Sequence, residues 1–294
     1  FAFALIFMAL ALMVCLFVRW PSLPELWDGL GNLGESKGLL SGQPIFPCLF
    51  ITIACGAVSG FHATQSPMMA RCLTDERLGR PVFYGAMITE GIVALIWATV
   101  SSWFFFDGGA AEVGATVSAA APDVVVKVSK GWLGILGGIL AILGVVAAPI
   151  TSGDTAFRSA RLIVADFLHL NQKPVANRLM ISIPLFLIAG VLLWYNIADE
   201  NGFNVIWRYF GWANQTLAVF MLWTATAYLV KFKKGLTYLI TMIPAAFMTA
   251  VCTTYICVAK IGLGLPNSWN RAIGLATFVV SLVVFYILYF RRRK

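Results

Sequence analysis

Four small polar groups stand inside an otherwise apolar chain, and their residue types suit the handling of ions and small polar molecules rather than covalent catalysis. The first is SGFHATQSPMMAR, residues 59–71, which follows the apolar run PCLFITIACGAV. Gly56, Ser59 and Gly60 weaken a helix near its middle, and His62, Thr64, Gln65 and Ser66 follow before Pro67. A helix broken inside a bilayer exposes half-helix ends, whose N–H groups attract anions and whose carbonyls attract cations. Glycine also lets helices pack closely, so a kink without a ligand is the plain alternative. The second is Glu90 in YGAMITEGIVALIWATV, nine residues beyond Pro81, about 13 Å along a helix and so near mid-membrane. A carboxylate buried there must be protonated or paired. It can carry a coupling proton, line a substrate cavity, or simply tie two helices together. His62 counts to a comparable depth, and a His–Glu pair would exchange protons as a unit near neutral pH; spacing alone does not bring the two face to face.

The third group is APITSGDTAFR, where Thr151, Ser152, Asp154 and Thr155 follow Pro149. These oxygens could bind Na⁺ or relay a proton as a gate, or serve as an ordinary cap of the next helix. The fourth is YFGWANQTLAVF, in which Asn214 and Gln215 enter an apolar span together. They join the substrate-site candidates, with interhelical hydrogen bonding as the alternative. No GxxxxGK[ST] loop, GxSxG elbow or HExxH helix occurs, so ATP-driven and common hydrolytic readings lack support. Two histidines and six cysteines without CxxC spacing give no metal cluster or disulfide framework. The expectation is a non-enzyme with no organic cofactor and no metal, using H⁺ as coupling ion, with Na⁺ as the alternative.

The elements that hold these groups are membrane spans. The chain is 60% hydrophobic and 12% charged over 294 residues, too little polar surface for a soluble domain. Its apolar runs are long and continuous rather than alternating, so the fold class is all-α and polytopic, not a β-barrel. Eight candidate spans near ~20 residues fall at about 1–19, 44–70, 82–106, 132–152, 179–196, 211–230, 236–259 and 272–290. The whole of 1–294 reads as one transmembrane domain. Residues 20–43 and 107–131 are the long connections, the latter with room for a short outer helix; 153–178 reads as an amphipathic cytoplasmic connector. One set of loops holds 14 of the 21 basic residues against four acids, and the opposite set holds seven basic and eight acidic ones. The basic side, with the C-terminus, is therefore cytoplasmic. The net charge of +8 is a topology signal, and no nucleic-acid partner is needed. Position 1 is Phe, already inside an apolar run, and the chain is expected to be part of a longer one.

Four stretches in order, PCLFITIACGAVSGFHATQSPMMAR, VFYGAMITEGIVALIWA, PITSGDTAFRSARLIVADFL and FGWANQTLAVF, resemble the carbon starvation protein A (CstA) family of bacterial inner-membrane transporters. The likeness runs through roughly residues 40–230. It implies secondary transport of peptides or pyruvate during nutrient limitation, with proton coupling in the pyruvate carriers, in the bacterial inner membrane. It also implies a plan similar to the amino acid–polyamine–organocation (LeuT-like, APC) superfamily, with two inverted five-helix repeats and one broken helix in each. This chain would be the second half. Span 44–70 would be its broken helix, and Thr151 and Ser152 would fall on a helix that often serves a cation site. The family's chains are longer and carry their first broken helix earlier, so a missing N-terminal half or a second subunit is the expected partner, beside the substrate and the lipid bilayer. The competing readings are a membrane sensor that binds the same ligands without moving them, and a purely structural helical bundle.

Overall fold

The computed structural model describes residues 2–22, 45–116, 121–199, 202–233 and 235–289. The greater part of the expected 20–43 connection, Lys234 and the terminal RRRK lie outside them, as do residues 117–120 and the side chains of 54–57, 64 and 145–149. Every regular element among the described residues is helical. Among the described residues five helical stretches are long and apolar enough to cross a membrane: Glu76–Phe106, Pro122–Gly144, Val175–Ala198, Leu239–Val258 and Asn267–Tyr289. The protein is a multi-pass membrane protein.

These five correspond to five of the eight expected spans. The first, Phe3–Arg19, is apolar but shorter than the rest. The second is divided into two short helices. The sixth lies in a 31-residue helix whose N-terminal half carries Asn204, Arg208, Asn214 and Gln215, and so has no window among the five. The fourth sits about ten residues earlier than expected at its start.

The helices form two compact units. The first comprises Phe1–Gln43 and Leu73–Ala156. Here α1 (Ala2–Arg19) packs on α4 (Ala86–Phe106). Their shared core joins Met8, Leu12 and Leu16 to Ile96, Val100 and Phe104, with Val124 and Val128 from α6 (Ala121–Phe167). A 3-10 turn, Glu76–Leu78, is capped by Asp75, whose side chain accepts from the Arg77 amide. It leads into a π-helical turn, Arg80–Gly85, that runs straight into α4. After α4 a one-turn helix, α5 (Gly109–Glu112), tucks beneath Trp103; a Cβ at Gly109 would lie 2.7 Å from that ring's Cε2 and Cε3. Trp103 and Trp132 meet at 4.6 Å between centroids, and the Arg19 guanidinium lies 5.2 Å over Trp132. Arg19 also pairs with Glu112, while Asp107 accepts from the Ser22 amide at 3.1 Å and hydroxyl at 2.7 Å.

Helix α6 is joined at Gly134, whose φ of 64° and ψ of −151° interrupt the helix. A positive φ of this kind is open to glycine and costly to other residues. The residues before this joint occupy much of the expected 107–131 loop, and the helix continues unbroken from there to Phe167. Thr151, Ser152, Asp154 and Thr155 therefore sit within a helix and cap nothing. The start of the 153–178 segment is likewise helix, followed by a turn and the first residues of α7 (Val175–Ala198).

The second unit comprises Pro44–Cys72 and Phe157–Lys294. Its centre is α9 (Leu239–Val258), flanked by α8 (Gly202–Phe232) and α10 (Asn270–Tyr289). Ala245, Ala246, Ala250 and Val251 on α9 are almost wholly buried, small residues that let neighbouring helices approach. α2 (Ile45–Ala57) lies against α8 and α9, and α3 (Phe61–Cys72) against α8. At the start of α2, Asn270 donates to the Phe46 carbonyl at 3.1 Å, and the Phe46 ring covers Gly274. On α7 only Ile181 is buried, whereas Leu187, Val191 and Trp194 are exposed. In hydrocarbon such a surface costs nothing, because lipid tails are as apolar as these side chains.

Candidate functional site

The chain leaves helical geometry at Val58–Gly60, between α2 and α3. Lost backbone bonds inside a bilayer cost several kcal/mol per group unless protein or water replaces them. Here protein replaces them. The Phe61 amide donates to Ser59 Oγ and to Asn214 Oδ1, each at 3.2 Å, and the Ser59 hydroxyl reaches the same Asn214 oxygen at 3.4 Å. The His62 amide donates to the Ser59 carbonyl at 3.2 Å and the Ala63 amide to the Gly60 carbonyl at 3.0 Å. An amide side chain from α8 thus helps to cap the half-helix α3. One residue on, Gln215 is fully buried and its Nε2 donates to the Ile51 carbonyl of α2 at 3.4 Å.

Gly60 is what lets α3 start so close to α8. A Cβ at this position would collide with the Asn214 carbonyl oxygen and lie 2.6 Å from Leu217 Cβ. The Phe61 ring then rests on Phe210, one turn before Asn214, at 5.7 Å between centroids. Trp212 fixes α8 to α9 by donating to the Cys252 carbonyl at 3.0 Å, and Tyr209 donates to the Ile261 carbonyl at 2.6 Å. α8 therefore serves as a braced post against which the break is held.

Among the expected site residues, Ser59, Gly60, His62, Asn214 and Gln215 come together in this unit. His62 is half-buried, with Nδ1 3.2 Å from the Ser59 carbonyl. That contact suits an N–H at Nδ1. Gln65 is half-buried near the start of α3, and Gly56 lies in the last turn of α2; the Thr64 side chain is outside the described residues. The N–H groups of Phe61, His62 and Ala63 all have partners, so the first turn of α3 is not an empty anion cradle. The site is uncharged and amide- and hydroxyl-rich, with one imidazole at its edge.

Glu90 and the 151–155 group belong to the other unit. Glu90 lies one turn into α4 and is exposed on this chain. Burial of its carboxylate within the chain is thus not observed. Thr151, Ser152 and Asp154 are also exposed, and the Thr155 hydroxyl bonds back to the Thr151 carbonyl at 3.0 Å. Among the described residues no group of three or more His, Cys, Asp or Glu side chains could hold a metal.

Two residues with a part in the arrangement lay outside the sequence reading. Phe61, directly after the glycine, supplies the amide that Asn214 and Ser59 hold, and its position after Gly60 is the signal that could have found it. Asn270 holds the Phe46 carbonyl across 224 residues, which no local spacing shows.

The family model described as "Carbon starvation protein CstA" matches residues 2–135 and 127–255. An uncharacterized protein of Haemophilus influenzae is 47% identical over 129 residues, 44% of this chain and 88% of that one. A peptide transporter CstA of Escherichia coli is 29% identical over 296 residues, 79% of this chain and 41% of that protein. The pyruvate/proton symporter BtsT of Escherichia coli is 27% identical over 323 residues, 81% and 43% respectively. The chain thus spans about two fifths of the length of the two transporters. No solved structure matches it.

Proposed function

Because the chain belongs to the carbon starvation protein CstA family, we propose that it forms part of a secondary transporter that takes up small carbon sources, peptides or pyruvate, by proton symport. The observation that carries this reading is the break at Val58–Gly60, braced by Asn214. A structural bundle gains nothing from interrupting a helix and then spending a polar side chain of α8 on the repair. A carrier does, since irregular backbone at membrane depth is found where it lines a cavity or pathway.

In this reading the chain has eight spans and is the second half of a LeuT-like inverted-repeat plan, in the bacterial inner membrane with its C-terminus in the cytoplasm. The other half comes from further sequence of the same protein or from a second subunit. Gly56, Ser59, Gly60, His62, Thr64, Gln65, Asn214 and Gln215 form this half's share of the substrate site. Glu90, the single acid in α4, carries the coupling proton, with His62 assisting; Thr151, Ser152, Asp154 and Thr155 form a gate or a cation site. Protonation of Glu90 removes a charge from bilayer depth and so favours one access state over the other. The proton gradient does work on the substrate only through such a difference between states.

The test is uptake by the complete transporter in proteoliposomes, with pyruvate and dipeptides under an imposed proton gradient. Glu90→Gln is expected to abolish accumulation against a gradient while sparing substrate exchange. Undiminished uphill uptake by that variant would rule out the role of Glu90, and binding without flux in the wild type would favour a sensor.

A further inference from the structure

α8 and α10 run in the same direction on either side of α9, with the Trp223 and Phe285 rings 5.2 Å apart. Between them lies a groove of about 590 Å³, floored by Thr249 and Thr253 and walled by Trp223 and Ala227 on one side and Val284 and Phe285 on the other. That volume falls within the range of about 300–1,000 Å³ typical of small-molecule sites.

The lining is polar in composition but not in what it offers. The hydroxyls of Thr224, Thr249, Thr277 and Ser281 donate to the carbonyls of Phe220, Ala245, Ile273 and Phe278 in their own helices, at 2.7–2.8 Å. The Trp223 indole N–H donates to Thr249 Oγ1 at 3.0 Å. A polar ligand entering here would lose its hydration without gaining a donor from any of these five groups. An alkyl chain loses nothing.

The chemistry changes at one end. One turn beyond Ala227, α8 reaches Lys231, followed by Lys233, both exposed; the Lys231 ammonium lies 5.3 Å from the Phe232 ring centroid. The α10 wall leads towards the same end. From residue 201 to 294 the sequence has no Asp or Glu, so neither wall supplies an acid to neutralise these cations.

We propose that the groove between α8 and α10 holds an acyl chain of an anionic phospholipid whose headgroup is gripped by Lys231 and Lys233. The dry lining selects an alkyl chain, and the uncompensated lysines at its mouth select the charge of the headgroup. Each lysine close to an anionic headgroup contributes roughly a fivefold gain.

The test is native mass spectrometry of the delipidated complete transporter, titrated with dioleoyl phosphatidylglycerol or dioleoyl phosphatidylcholine. Wild type is expected to retain phosphatidylglycerol at least ~10-fold more tightly than phosphatidylcholine. Lys231→Gln with Lys233→Gln should erase that preference and leave phosphatidylcholine retention unchanged. Ala227→Phe, which fills the groove, should weaken both lipids alike. A photoreactive residue at Val280 should label lipid, and this readout stands even if Ala227→Phe does not fold. Equal retention of the two lipids by wild type, a preference that survives the double lysine variant, or labelling of another protein segment from position 280 would each overturn the proposal.

Discussion

Replacing Gly60 with alanine tests whether the break is held by contact rather than tolerated as a loose joint. Gly60 has no left-handed backbone angle, so the cost of a methyl group here is steric. The new Cβ would stand 2.6 Å from Leu217 Cβ and press on the Asn214 carbonyl, and ordinary carbon contacts begin near 3.4 Å. Neither obstacle is the end of a flexible side chain. The start of α3 must therefore move from α8 by about 0.8 Å, which stretches the 3.2 Å bond from Phe61 to Asn214 to about 4 Å, beyond hydrogen-bond range. Overpacking of this kind costs about 1–3 kcal/mol, and the lost bond adds about 1 kcal/mol. The expected loss is about 2–4 kcal/mol in denaturant unfolding of the purified protein in nanodiscs, with transport lost in parallel. Gly190→Ala is the matched control. It lies within α7 with nothing inside 4 Å of the new methyl, and should stabilise by up to ~1 kcal/mol. If both variants unfold together with wild type, α3 is not held against α8 at Gly60, and the account of the break fails.

Two further outcomes follow from the same geometry. Gly274→Ala would place a methyl 2.8 Å from the Phe46 ring edge; because that ring can tilt, the loss should be about 1 kcal/mol, smaller than at Gly60 in the same unfolding assay. Arg19→Gln removes an exposed ion pair with Glu112 and the guanidinium over Trp132; it should cost at most about 1 kcal/mol, and less in high salt, measured as unfolding at two ionic strengths.

The break was legible because Ser59 and Gly60 interrupt an apolar run long enough to cross the bilayer, and a lipid-facing helix has no use for them. Its repair was not legible. Asn214 lies more than 150 residues away, and nothing in local spacing shows that its side chain reaches the Phe61 amide. The reverse holds for the 151–155 group. Pro149, three hydroxyls and an acid read equally well as a helix start, yet the helix begins far upstream and turns instead at Gly134, an inconspicuous member of a glycine-rich stretch. Glu90 shows a third kind of limit. Its place in an apolar helix can be read from sequence, but its exposure on this chain cannot, because spacing along one helix says nothing of which face its neighbours occupy. Spans with unbroken apolar windows, such as α7 and α10, could be read most directly, because hydrocarbon thickness alone dictates their length.

Using asparagine rather than aspartate to hold the half-helices has a consequence for regulation. A carboxamide neither gains nor loses a proton over the physiological range, so the bonds that Asn214 makes to the break keep the same strength in acid and alkaline surroundings. Any sensitivity of the break to protons must enter through other side chains, and His62, whose ring lies against the Ser59 carbonyl, is the one placed to supply it. Inserting an acid at position 214 would merge sensor and hinge into one residue.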